Sequence, residues 1–146
     1  MRSLRISRAF VLCVSLALLL FTVSAAAKSN REFAGYYDVS DVEEQGDLVQ
    51  VTLHLQLFNS GHQDVKSVIV TLVDSGPLMT LRGNFHPLKV WHSQQSIKLS
   101  QQFTVSKREF GEWVTSGQPN LVILFQDAKG HTAQRGAQLS HRPLMQ

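Results

Sequence analysis

One cysteine occurs among 146 residues, and Cys13 lies inside an apolar run near the start. Everything after that run is free of cysteine, which excludes a disulfide framework and a thiolate metal site from it. A domain large enough to build a core does not require such staples, even in an oxidising compartment. Basic tracts are missing as well. The chain carries 14 Lys and Arg against 11 Asp and Glu, but three of the arginines are Arg2, Arg5 and Arg8. Without them the balance is 11 to 11, so nothing draws the folded part to a phosphate backbone, and nucleic acid is not an expected partner. The signatures HExxH, GxGxxG, GxSxG, CxxC and the P-loop are absent. Each fixes a particular geometry: metal on a helix face, phosphate at a helix start, or an exposed nucleophile. Without them no enzyme class is indicated, and no cofactor is expected.

What the chain does have begins with an address. Three arginines precede an apolar run from Ala9 to about Val23, and Ser24-Ala25-Ala26-Ala27 follows. That is the layout of a secretory signal peptide, so residues 1–27 are set apart and cleavage is expected after Ala27. The apolar run is short for a bilayer span, which takes about 20 residues. Leu12 precedes Cys13, so the small residue of a lipoprotein box is missing. The remainder, residues 28–146, suits one domain exported to the periplasm or the extracellular space, with no membrane span after cleavage.

The strongest pattern is Leu48 to Phe58. Val49, Val51, Leu53, Leu55 and Leu57 share one parity; Gln50, Thr52, His54 and Gln56 share the other. Side chains on a strand alternate between faces, so this is a strand with one dry and one wet face. Other strands are expected at Phe33–Val42, Val65–Val73, Leu78–Leu81, Leu88–Trp91, 95–105, 121–126 and 131–139. An acidic turn is expected from Asp41 to Asp47, bent at Gly46. Asn59-Ser60-Gly61, Asp74-Ser75-Gly76-Pro77 and Asp127-Ala128-Lys129-Gly130 are further turns. Ser106-Lys107-Arg108-Glu109 fits a capping box, and Phe110 and Trp113 share a helical face, so one short helix is expected near 107–115. The sum is an all-β antiparallel sandwich of about seven strands.

Three stretches carry a resemblance. One is the strand 48–58 running into Asn59-Ser60-Gly61, another is Val65-Lys66-Ser67-Val68-Ile69-Val70-Thr71-Leu72, and the third is Phe125-Gln126-Asp127-Ala128-Lys129-Gly130. Together they resemble the immunoglobulin-like domains of exported bacterial proteins, including the CARDB, NEW3 and FxLYD types. The resemblance spans most of residues 33–139 and implies an immunoglobulin-like sandwich. The antibody-type Cys…Trp…Cys core is absent, and strand 121–126 has no tyrosine for a tyrosine corner.

Three functional readings follow. In an immunoglobulin-like order, strands 65–73, 121–126 and 131–139 lie side by side. If Val68, Val70, Leu72, Leu121, Ile123 and Phe125 point inward, Ile69, Val73, Val122 and Leu124 form an apolar outer patch. An outer sheet face is ordinarily polar. The patch suits a non-catalytic module of the cell envelope that binds a partner protein or a second copy; the alternative is that a neighbouring segment covers it. Trp91, Tyr36 and Tyr37 are candidates for stacking on sugar rings, against the alternative that they fill the core. His54, His62, His86 and His92 invite a metal or enzymatic reading, and Asp38, Asp41, Glu43, Glu44 and Asp47 a calcium reading. No spacing among them is diagnostic, and solvated surface side chains account for both groups.

Overall fold

A computed structural model describes residues 32–142. The expected signal peptide lies outside the described residues. The elements are β1 (Phe33–Gln45), β2 (Leu48–Asn59), β3 (Val65–Val73), β4 (Leu81–Asn84) and β5 (Leu88–Trp91). Then come β6 (Ser96–Ser106), α1 (Lys107–Thr115), β7 (Asn120–Gln126), β8 (Thr132–Gly136) and β9 (Gln138–His141). They form an all-β sandwich. One sheet, here sheet A, has the order β6-β2-β1-β9; sheet B has the order β4-β3-β7-β8, with β5 also paired to β3. Among the described residues no helix is long and apolar enough to cross a membrane.

The alternation in β2 decides the core. Val49, Val51, Leu53, Leu55 and Leu57 are all buried and face inward. Opposite them are Val68, Val70 and Leu72 of β3 and Leu121, Ile123 and Phe125 of β7, also buried. β3, β7 and β8 lie side by side, as expected. Removing this apolar area from water is the main stabilising term of the fold. Phe33 stacks on Trp91 with ring centroids 4.9 Å apart and meets Phe125 edge-on at 5.4 Å.

Several expectations need correction. There are nine strands in the described residues rather than about seven, and the pairing of β1 with β9 is parallel. β1 does not give way to an acidic turn at Asp41. It stays paired with β2 to Gln45, across a bulge between Ser40 and Glu43, and only Gly46 and Asp47 turn. The acidic side chains of this ribbon are exposed, so extending it desolvates no charge, and Glu44 pairs with Lys107 at 2.7 Å. The strand expected at Leu78–Leu81 forms instead at Leu81–Asn84. Asp74 takes up the preceding residues: its Oδ1 accepts from the backbone N–H of Gly76 and Thr80, which holds 75–80 as a loop. The strand expected at 131–139 is split at Ala137; β8 completes sheet B, and β9 crosses to sheet A.

α1 falls where expected. Ser106 Oγ accepts from the Glu109 N–H at 3.1 Å, half of the capping box. The other half is redirected, because Glu109 turns to Arg82, whose Nη2 donates to it at 3.2 Å. Trp113 is buried and Phe110 packs against the core, so the helix closes the sandwich with its apolar face. The buried Tyr37 hydroxyl is satisfied there too: it donates to the Trp113 carbonyl at 2.6 Å.

Candidate functional site

The outer face of sheet B carries the first candidate. Ile69 pairs with Leu124, and Thr71 with Val122, so the outward side chains of β3 and β7 stand in adjacent rows. Ile69, Val73, Val122 and Leu124 line one groove of about 320 Å³, together with Met79 and Leu81. The four are therefore brought together as the alternation implied. Val73 departs from the expected exposure, since it is buried beside Leu81, its partner on β4. Met79 is 55% exposed and Leu81 61%. Neither was singled out by sequence, because they lie on a loop and a four-residue strand with no period of their own. The remaining lining is neutral: Thr71, Asn84 and Gln134. Thr71 Oγ1 donates to Asn84 Oδ1 at 2.7 Å, so that polar pair satisfies itself.

The sugar-stacking candidates divide. Trp91 is fully buried against Phe33, and its indole N–H donates to the Gln95 carbonyl at 3.0 Å. Tyr37 is buried as well, and its burial raises the phenol above its ordinary pKa. Neither offers a ring face to a ligand; a wide ring on an inward strand position fills the space between sheets. Tyr36 alone of the three is open, at 52% exposure, on the outer face of sheet A.

That face is laid out by register. Tyr36, Gln56 and Lys98 stand in one row across β1, β2 and β6, and Asp38, His54 and Ser100 in the next. Between them lies a depression of about 220 Å³, which Arg142 also lines. On the other side of Tyr36 a second depression, about 370 Å³, is lined by Ala34, Gly35, Phe58, Gln138 and Ser140. Phe58 is 37% exposed and was overlooked in the sequence, although its even position on β2 marks the wet face.

His54 is tied down within this face. Ser40 Oγ donates to Asp41 Oδ2 at 2.9 Å, so it accepts from His54 Nε2 at 2.8 Å. For neutral imidazole that assigns the proton to Nε2, and Nδ1 accepts from Ser100 Oγ at 2.8 Å. The order is serine, histidine, serine, with Asp41 one step removed. A Ser-His-Asp relay places the carboxylate on the imidazole itself. The Ser40 hydroxyl, chief among several groups, holds Asp41 below the usual carboxylate range.

The other histidines and the acidic stretch do not converge. His92 Nδ1 lies 2.8 Å from Asp64 Oδ2, and the Ser93 N–H, donating to Asp64 Oδ1, is the main cause that lowers the Asp64 pKa. These contacts tie the β5–β6 turn to the β2–β3 turn, with buried Asn59 between them. Among the described residues no three His, Cys, Asp or Glu side chains gather as a metal site.

No protein-family model matches the chain, and no curated protein does. Among solved structures, a GH20 exo-β-N-acetylglucosaminidase from Vibrio harveyi in complex with N-acetylglucosamine aligns at 15% identity and a TM-score of 0.40. The alignment covers 75% of this chain and 18% of the enzyme, so the chain spans less than a fifth of that protein's length. The X-ray structure of a Northeast Structural Genomics Consortium target aligns at 6% identity and a TM-score of 0.37, covering 77% of this chain and 88% of that one. At TM-scores this low, neither likeness assigns a family or a function to the chain.

Proposed function

We propose that this protein is an exported, non-catalytic interaction module that docks an apolar segment of an envelope or extracellular partner protein on the outer face of sheet B. The observation that carries the reading is the groove between Ile69, Val122, Leu124, Met79 and Leu81. Met79 and Leu81 are exposed and Ile69, Val122 and Leu124 half-buried, and apolar side chains gathered in one concavity are costly to leave in water and are characteristic of protein-binding surfaces. No charged side chain lines the groove, which favours a neutral apolar occupant over an acidic or basic one. The basic start, apolar run and alanine-rich end of residues 1–27 support export of the domain. The resemblance to immunoglobulin-like domains of exported bacterial proteins points the same way.

The test uses Leu81→Lys, because Leu81 is already mostly exposed. Surface substitutions of this kind change stability by about 0.5 kcal/mol or less. Wild type and variant are compared by cross-linking in the native envelope fraction and by sedimentation of the purified chain. A partner lost with Leu81→Lys, at an unchanged melting temperature, is the expected result. Concentration-dependent dimers of wild type would assign the groove to a second copy instead. Equal capture by both proteins would remove the groove from the reading.

A further inference from the structure

We infer that the outer face of sheet A is a separate binding site for an acidic oligosaccharide, with Tyr36 and Phe58 as its stacking platform and Lys98 and Arg142 at its charged end. Two exposed aromatic rings on one sheet face are the starting observation. Ala34 pairs with Phe58 and Tyr36 with Gln56, so Tyr36 and Phe58 are diagonal neighbours on adjacent antiparallel strands. Diagonal positions are separated by about 7–8 Å. Rings so placed can each meet the apolar face of a successive pyranose. Tyr36 lines both depressions on this face, so they adjoin at that residue and suit an extended ligand rather than a compact one.

The surrounding groups fit sugar chemistry. Gln56, Gln138 and Ser140 carry neutral groups that both donate and accept, as ring hydroxyls require. Lys98 and Arg142 outnumber Asp38 in the smaller depression, so that end favours an anion. A carboxylate there would be recognised by charge-assisted hydrogen bonds. An acidic peptide could also carry rings and carboxylates, but Tyr36 and Gln56 sit on β1 and β2, the two central strands of sheet A. Their backbone groups already pair on both sides, so a peptide could not add as a strand at the two rings; the open edges of sheet A are β6 and β9. At the rings a ligand is held by side chains alone, which suits a glycan.

The experiment titrates the full chain by calorimetry with a tetramer of galacturonic acid, its methyl-esterified form, and a tyrosine-containing oligoglutamate. Binding of the free acid, weakened at least tenfold in Tyr36→Ala and severalfold in Lys98→Ala and at raised salt, is the expected result. Each variant is first shown to melt with wild type. Phe58→Ala gives an independent second arm at the other ring. No binding of the free acid at millimolar concentration would overturn the inference. So would equal affinity for the ester, preference for the peptide, or binding indifferent to both ring substitutions. Leu81→Lys is expected to leave this binding unchanged, which separates the site from the groove on sheet B.

Discussion

At the scale of single residues, the informative positions are polar groups that the core has taken in. Asn59 is fully buried between two turns; its Oδ1 accepts from Gly61 N–H, and its Nδ2 donates to the Gln63, Trp91 and His92 carbonyls at 3.3–3.4 Å. It is more than a turn former, and it is satisfied as buried amides must be. Glu109 is the one acidic side chain buried among the described residues. Burial raises its carboxyl above the ordinary glutamate range, although the Arg82 guanidinium pulls it back; Asp74 and Glu112 add to the rise. The folded state therefore holds that proton more tightly than the unfolded chain does. The stabilisation is complete below the unfolded glutamate pKa and is lost as pH rises through the higher folded value. Glu109→Gln removes the titration. The stability of wild type minus that of Glu109→Gln is thus expected to fall from about pH 4 upward and then level off, as read from urea midpoints. A difference that grows with pH would show that the Arg82 pair outweighs burial.

At the scale of elements, β1 and β2 form one of the two long ladders of sheet A, and Gly35 shows how closely they fit. A Cβ there would collide with the carbonyl oxygen of Gln56 on the neighbouring strand. Backbone cannot retreat as a side-chain tip can, so Gly35→Ala is expected to lower stability by about 1–3 kcal/mol, the usual cost of overpacking. A urea midpoint equal to wild type would mean that the ladder absorbs the methyl group by shifting register. Most elements were legible where burial writes a pattern into the sequence: β2 and the inward half of β6 alternate because one face is dry, and β3 and β7 are short apolar runs bounded by turn residues. α1 was legible from its serine cap and the Phe110–Trp113 spacing. The far end of β1 was not, because it extends as a ribbon exposed on both faces and its charges report solvent rather than strand. β4 was not either, since Arg82, Gly83 and Asn84 are held in place by β3 rather than by local preference. The candidate sites follow the same division. Ile69, Val122 and Leu124 were found by subtracting the inward parity, and the same subtraction on β2 would have found Phe58. Trp91 and Tyr37 were misplaced because an aromatic residue alone does not say which face it occupies; pairing with Val65 and with Leu55 does.

At the scale of the whole molecule, the question is what couples the two sheets besides their shared core. The chain crosses between them at the β2–β3 and β5–β6 turns, through α1, and finally at Ala137 between β8 and β9. The last crossing is the shortest and belongs to both sheets at once. The Ala137 N–H donates to the Leu121 carbonyl of β7 at 3.3 Å, and one residue later β9 pairs with β1. Leu139 then enters the core, its N–H donating to Gln118 Oε1 at 2.9 Å, and His141 meets the Tyr37 ring edge-on at 5.0 Å. β9 therefore shields the β1 edge and clamps the segment that follows α1. Truncation after Gly136 removes this clamp and leaves β1 as a long unpaired edge, which is prone to pair with another chain. The truncated protein is expected to unfold at a lower urea concentration and to sediment as higher species at concentrations where the full chain does not. Leu139→Ala separates the two effects: it keeps the strand, deletes the buried side chain, and should cost about 2–5 kcal/mol without self-association. If truncation left both the urea midpoint and the sedimentation unchanged, β9 would be a surface addition, and the sheets would be held together by the core and α1 alone.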